Sequence, residues 1–419
     1  MKALKQLSDE WKKRLFFLMT AAAIAPLYFE GLAQVSGVIF VLILLLLISL
    51  AKDRSFQKNL SVLEKGWIWS GGVYAMVFIL SFLLRPPYVD DGIWRLSSSG
   101  FILLLLIWFW IASKFELDDF VMESVAYSSL FFAVILLVVE MSTSQNWNFN
   151  YRYGNILADI GKTGFFLPLT AFLFGLLFLI RRQKRFMFLF VVAFILSSWV
   201  GSRTAVVMLV VPIVFITVYA VINAKKMQPS IKIVLLIGAL GLIGMASYMA
   251  KDKVNDVVRD YQLAQKNEFY SSLGLRVVMF DVGSDMVEDN FFFGVGPNQY
   301  KEDLKYYASQ SKYPDGIKHK ITTFTHLHNQ FLMDWVLSGF IGLLALVLFV
   351  LYPAVVFMRW FQLGHKFEAI YGVGFIISVW FILLFGAMFT YTYTTILYML
   401  SFGAVVVSSL SSKERKFDD

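Results

Sequence analysis

The sequence contains no cysteine, few charged residues and only four histidines. The lack of cysteine excludes disulfides, thiol catalysis and cysteine-ligated metals. Charged residues make up 16% of the chain, whereas a soluble domain carries about 25%. This shortfall argues against an ordinary soluble protein. Instead, 58% of the residues are apolar, and 42 of them are phenylalanines, which is typical of side chains that face lipid.

Long apolar runs dominate the chain, and a helix needs about 20 apolar residues to cross a bilayer. Applying that length predicts an all-α polytopic membrane protein with about 12 transmembrane helices. We expect residues 1–250 to hold helices 1 to 9, 251–325 to form one large structured outer loop with amphipathic helices, and 326–419 to hold helices 10 to 12. The predicted spans are 15–30, 33–51, 66–84, 95–113, 119–141, 163–181, 185–201, 203–223, 231–250, 328–357, 367–387 and 389–411.

The positive charges predict the orientation of these spans. Lysine and arginine are enriched in the short loops on the cytoplasmic side of a membrane. With the N-terminus inside, the inner segments hold 22 of the 37 lysines and arginines, and the short outer loops hold five. The net charge of +8 therefore reflects membrane topology, and it does not indicate a nucleic-acid partner.

Three arginines lie where the predicted spans meet the outer surface: Arg152, Arg203 and Arg276. An ionisable group at this depth marks a functional site by default. A guanidinium stays charged and offers a planar fork of donors suited to phosphate. The alternative for each arginine is a side chain that reaches the lipid headgroups or pairs with a structural carboxylate. We predict that the three converge on one anionic group.

Two histidines, His326 and His328, lie where the outer loop enters the tenth predicted span. An imidazole is the natural general base near neutral pH, so one of the two is expected to act as the base while the other supports it. The alternative is a structural, hydrogen-bonded histidine. His319 and His365 are expected to be solvated. The outer loop offers no further obvious ligands, so no metal is predicted.

Two polar residues that follow the histidines, Asn329 and Asp334, are further candidates for the site. Asn329 either orients an imidazole or caps the following helix. Asp334 is an ionisable residue near membrane depth, and we expect it to be the buried partner of an arginine.

Gly161-Lys162-Thr163 looks like the end of a P-loop, but Ile156 occupies the place of its first glycine. No nucleotide site is therefore predicted.

His328-Asn329, followed by nine residues and Gly339-Phe340-Ile341-Gly342, reproduces an H-N-x9-G-x-x-G pattern. In this pattern the chain resembles bacterial O-antigen ligases, which share a superfamily with O-antigen polymerases and pilin-type oligosaccharyltransferases. Further matches occur in the family's usual order, at Arg152-Tyr153-Gly154-Asn155, Gly201-Ser202-Arg203-Thr204, Leu275-Arg276 and Gly294-Val295-Gly296.

The resemblance implies a GT-C-like membrane glycosyltransferase of lipopolysaccharide biosynthesis. Its donor would be O-antigen polysaccharide on undecaprenyl pyrophosphate, and its acceptor would be a sugar hydroxyl of lipid A–core oligosaccharide, at the periplasmic face of the inner membrane. Such enzymes are inverting and need neither metal nor ATP, so no cofactor, nucleotide or nucleic acid is expected. Membrane lipids are the remaining partner. The expected roles are base for His328 or His326, pyrophosphate binding for Arg152, Arg203 and Arg276, support for Asn329 and Asp334, and close helix packing for Gly339 and Gly342.

Three other functions are weighed against this one. A polymerase or a protein O-oligosaccharyltransferase would use the same donor with a different acceptor. A transporter or lipid flippase predicts ionisable residues at mid-depth in several spans, whereas here they cluster at the outer edge. A structural scaffold would not need the clustered arginines and histidines.

Overall fold

The computed structural model describes residues 9–28, 60–86, 90–114, 118–144, 160–199, 203–223, 258–263, 265–390 and 392–408, with single positions at 229, 233, 240 and 244. In this part of the chain every regular element is a helix. We number the main ones α1 Asp9–Tyr28, α2 Val62–Leu83, α3 Asp90–Lys114, α4 Asp118–Ser144, α5 Ile160–Arg181, α6 Lys184–Trp199, α7 Arg203–Asn223, α8 Ser272–Asp289, α9 Tyr300–Gln310, α10 Asp315–Thr322, α11 Gln330–Gln362, α12 Lys366–Phe385 and α13 Thr392–Ser408.

The all-helical prediction is confirmed for the described residues, and each predicted span within them overlaps a helix. The span over 33–51 and nearly all of that over 231–250 lie outside the described residues. Among the described residues, four helical stretches are long and apolar enough to cross a bilayer: Val62–Leu83, Phe120–Thr143, Gln330–Gln362 and Lys366–Phe385. Shorter apolar helices cover Ser98–Trp110, Phe165–Arg181, Val207–Ile222 and Thr392–Ser408.

Helix α13 lies at the centre of the bundle. Its side chains are buried nearly all the way round, from Thr394 to Val407, as expected for a helix that is apolar on every face. It packs against α3, α4 and α5, while α11 packs between α2 and α12. The core is therefore built from helices that are distant in sequence.

Helices α8, α9 and α10 form the described part of the predicted outer loop domain, and they pack on one another. Asn298 attaches this domain to the end of α2, since its side-chain amide donates to the carbonyls of Phe82 (3.0 Å) and Arg85 (2.8 Å). Gly283 lets α8 approach α11 closely, since a Cβ there would lie 2.9 Å from side-chain carbons of Leu327 and Leu332. The middle of α8 therefore rests directly on the entrance of α11.

Candidate active site

The two predicted histidines lie together in the short turn before α11. Their ring centroids are 4.3 Å apart and their planes are inclined by 63°. His326 is buried, and its Nδ1 lies 3.1 Å from the Thr325 hydroxyl. His328 is half-buried and packs edge-on against Phe324. The pair thus forms one imidazole cluster, in which His328 is the more accessible ring.

The backbone turns into α11 at His328 and Asn329. His328 has a φ of +54°, a left-handed conformation in which histidine and asparagine are enriched among non-glycine residues. Asn329 is extended, and its Oδ1 accepts a hydrogen bond from the Leu332 N–H at 3.0 Å. Of the two roles considered for Asn329, the structure therefore shows the helix cap.

Arg276 is close enough to His328 to influence its ionisation. It lies in the first turns of α8, which Ser271 caps by accepting a hydrogen bond from the Gly274 N–H. Burial and, secondly, the positive charge of Arg276 lower the pKa of His328 from 6.5 to about 4. Both effects disfavour the imidazolium. His328 is therefore neutral at pH 7 and free to accept a proton or a hydrogen bond.

Replacing Arg276 with alanine is expected to raise the pKa of His328 above about 4 while leaving it below 6.5. The positive charge is removed, but burial, the larger cause, persists. Titration of the histidine side chains by NMR, with 15N-labelled histidine and full-length protein in nanodiscs, measures both values. A wild-type midpoint at or above 6.5, or no change in the variant, would contradict this arrangement.

The other two predicted arginines are less fully defined. Arg203 is the first residue of α7, but its side chain lies outside the described residues, and all of Arg152 does too. Of the predicted cationic group, the structure therefore places Arg276 within electrostatic range of His328, and the convergence of Arg152 and Arg203 stays a prediction.

Asp334 has partners other than the arginine we expected. It is 1% exposed, and its two carboxylate oxygens accept hydrogen bonds from Tyr74 Oη (2.9 Å) and Gln330 Nε2 (2.6 Å). The side-chain carbonyl of Gln330 in turn accepts the Phe389 N–H at 2.7 Å. These uncharged partners correct the prediction that Asp334 pairs with an arginine. The network joins α2, the first turn of α11 and the 3-10 turn Met388–Thr390 that precedes α13.

A small, partly open pocket lies against this network. Gln330 belongs to its wall and follows His328 by two residues, so their Cα atoms are within about 7 Å. The pocket is therefore adjacent to the histidine turn, and hydroxyl, amide and carboxylate groups face it. Its lining consists of Tyr74, Phe78, Ser98, Ser99, Gln330, Asp334, Leu337, Phe389 and Thr390.

Helix α11 is broken at Gly339, where φ is +69° and ψ is −166°. The carbonyls of Val336 and Leu337 accept the N–H groups of Val295 (2.7 Å) and Gly296 (3.0 Å), while the Phe340 N–H donates to Phe291 (2.8 Å). Segment 291–296 thus supplies the hydrogen bonds that a continuous helix would make internally.

This break changes the role expected for the two glycines of the motif. At Gly339 the close neighbour is the backbone of Phe292 and Phe293, not a second helix. A Cβ on Gly342 would meet Ser338 and the Asp334 carbonyl of its own helix, on the other side of the break. Gly339 therefore permits the docking of the loop, Gly342 permits the close approach of the two helix segments at the break, and close packing against a second helix is the wrong description of their role.

The residues that sequence reasoning missed are mainly the neutral partners of these groups. Tyr74 is a polar side chain within a predicted span, and Gln330 lies inside the nine-residue gap of the motif, so each carried a weak signal. Ser81, whose hydroxyl donates to the Leu337 carbonyl at 3.0 Å, lies in the same predicted span and carried the same weak signal.

Comparison with known proteins bears on this region. Residues 188–347 match the family model described as O-Antigen ligase. That segment includes α7, Arg276, both histidines, Asp334 and both motif glycines. A protein of Haemophilus influenzae, described as an uncharacterized protein, is 24% identical over 327 residues, covering 75% of this chain and 77% of that protein. The segment of this chain that holds the histidine pair, Arg276 and the motif glycines is thus similar to the O-antigen ligase family over residues 188–347.

Proposed function

We propose that this protein is an O-antigen ligase that transfers a polysaccharide from undecaprenyl pyrophosphate to a sugar hydroxyl of lipid A–core oligosaccharide. The observation that carries the proposal is the grouping of His326, His328 and Arg276 at the entrance of α11, within the family segment. A neutral imidazole beside a fixed cation supplies the two functions that glycosyl transfer from a pyrophosphate requires.

The chemical step assigns one role to each group. The imidazole of His328 takes the proton from the acceptor hydroxyl, whose oxygen attacks the anomeric carbon of the donor. The bond between that carbon and the pyrophosphate oxygen breaks, and its electron pair leaves with the pyrophosphate. Arg276, with Arg152 and Arg203 as further candidates, stabilises the negative charge that develops there. Attack opposite the leaving group inverts the configuration, and no nucleotide is consumed.

The low pKa of His328 fits this sequence of events. In the free site the charge of Arg276 contributes to holding that pKa at about 4. A bound diphosphate would offset this positive charge and add negative charge nearby, and both changes favour the imidazolium. Donor binding would therefore make His328 a stronger base at the moment when a proton has to be removed.

The proposed location is the inner membrane of a bacterium, with about 12 transmembrane helices and the active site facing the periplasm. Two observations support it: the excess of lysine and arginine in the segments that we assign to the cytoplasm, and the four helical stretches long and apolar enough to cross a bilayer. On this placement the donor lipid reaches the histidine turn from within the outer leaflet.

A reconstituted transfer reaction tests the function. Purified full-length protein would receive a lipid-pyrophosphate glycan and lipid A–core, in EDTA and without ATP. We expect glycan to appear on lipid A–core, detected by mass spectrometry. Longer lipid-linked chains without that product would indicate a polymerase, and glycan only on an added pilin would indicate an oligosaccharyltransferase. A requirement for metal or ATP would contradict the proposed chemistry.

A further inference from the structure

Three consecutive phenylalanines, Phe291, Phe292 and Phe293, form an exposed turn directly after α8. We name this segment the phenylalanine wedge. Phe292 is 63% exposed and Phe293 67%. Large apolar side chains that are exposed as a group usually mark an interaction surface, so this feature requires a partner.

The wedge is held rigidly against α11. The Phe291 carbonyl accepts hydrogen bonds from the Phe340 N–H (2.8 Å) and from Trp335 Nε1 (3.1 Å). The Phe291 ring stacks on Phe340 with centroids 5.8 Å apart and contacts Trp335 edge-on at 5.3 Å. The wedge therefore lies at the level of residues 335–340, about 8 to 15 Å along the helix from Gln330.

The surface of α11 beyond the wedge is a continuous apolar stripe. Its exposed side chains recur every three or four residues, which keeps them on one face of the helix. Helix α11 is one of the stretches able to cross a bilayer, so this face is the one that lipid would cover. The stripe consists of Phe340, Leu344, Leu348, Leu351, Val355 and Met358.

Exposed acidic residues at the end of α8 mark where this apolar surface stops. Asp285, Glu288 and Asp289 are exposed on α8, and the Asp289 carboxylate accepts a hydrogen bond from Tyr307. The chain passes from these carboxylates to Phe291 within two residues. A boundary between water and hydrocarbon drawn here leaves the acids on one side and the wedge and the stripe on the other.

We infer that the phenylalanine wedge is inserted into the hydrocarbon of the bilayer, where acyl chains of the lipids cover Phe292 and Phe293. The continuity of the wedge with the apolar stripe of α11 identifies the occupant as lipid. Because the wedge is joined to α8, its insertion fixes the height of the loop domain above the membrane. This inference is independent of the proposed transfer reaction.

The natural absence of cysteine allows a direct test with single-cysteine variants. Phe292→Cys and Phe293→Cys would each be spin-labelled in the full-length protein and reconstituted into liposomes. Leu348→Cys on the stripe is the lipid-facing control, and Ser309→Cys, exposed on α9, is the water-facing control. Accessibility to oxygen and to a water-soluble nickel chelate would be measured by power saturation.

We expect both wedge positions to resemble Leu348→Cys, with an oxygen-to-nickel accessibility ratio several-fold above that of Ser309→Cys. A ratio like that of Ser309→Cys would place the wedge in water and overturn the inference. Low accessibility to both reagents would indicate cover by protein, and spin–spin broadening would identify a second copy of the chain. Either result would also overturn it. Because both side chains are exposed, the two variants should fold and serve as independent reporters.

Discussion

Replacing His328 with asparagine is expected to reduce glycosyl transfer by roughly 10²- to 10⁴-fold, the usual contribution of a general base. The imidazole is half-buried next to the His326 ring and within electrostatic range of Arg276, and it is the more accessible of the two rings because His326 is buried. Asparagine is the informative replacement, because residue 328 has a φ of +54° and asparagine tolerates that conformation. His328→Ala removes the same group but adds backbone strain.

The measurement is initial transfer rate at saturating donor, with thermal unfolding of each variant recorded in the same detergent. His319→Ala is the matched control, since His319 is exposed on α10, and its rate should stay within about twofold. His326→Ala should reduce the rate less than His328→Asn, because the buried His326 already contacts the Thr325 hydroxyl. Near-normal transfer by folded His328→Asn would refute the proposed base, and a greater loss in His326→Ala would transfer that role to His326.

Much of the helical framework could be predicted because hydropathy is a local property. A run of apolar residues needs no knowledge of distant contacts to indicate a buried helix, and α2, α11 and α12 lie close to their predicted spans. The cap at Asn329 is local in the same way, since donor and acceptor are three residues apart.

The environment of Asp334 could not be predicted, because it depends on contacts across the chain. Its partner Tyr74 is 260 residues away, and the link from Gln330 to Phe389 spans 59 residues. From sequence alone, a buried carboxylate in a protein with many arginines is most simply paired with one of them. In the structure Asp334 is instead hydrogen-bonded to the phenol of Tyr74 and the amide of Gln330. Tyr74 lies in an apolar span with other aromatic residues, so hydropathy does not identify it as a partner.

The glycines of the motif illustrate a different limit. Two glycines three residues apart in an apolar helix are typical of close helix packing, and that pattern led to the wrong role for Gly339 and Gly342. A break stabilised by a distant loop produces the same local sequence. Gly294 and Gly296, with φ of +63° and +85°, belong to that loop, but pattern alone does not reveal that they meet Gly339.

Replacing Gly339 with alanine is expected to destabilise the protein by about 3 kcal/mol or more, from backbone strain and steric overlap together. A φ of +69° with a ψ of −166° lies in a region that is essentially restricted to glycine. A Cβ would also overlap the backbone carbonyl of Phe292, which cannot move away without breaking the hydrogen bonds of segment 291–296 to α11.

The control for this substitution is Gly100→Ala in α3, where a Cβ would meet nothing within 4 Å and alanine favours the helix by about 1 kcal/mol. Thermal unfolding in detergent should show a lower midpoint for Gly339→Ala and an unchanged or higher one for Gly100→Ala. The release of segment 291–296 should also raise proteolysis between α8 and α9, because the hydrogen bonds at the break hold this connection. A Gly339→Ala protein that unfolds at the wild-type temperature and resists proteolysis between α8 and α9 would contradict the break. Helix α11 would then run unbroken through residue 339, and its backbone groups would not be available to hydrogen-bond segment 291–296.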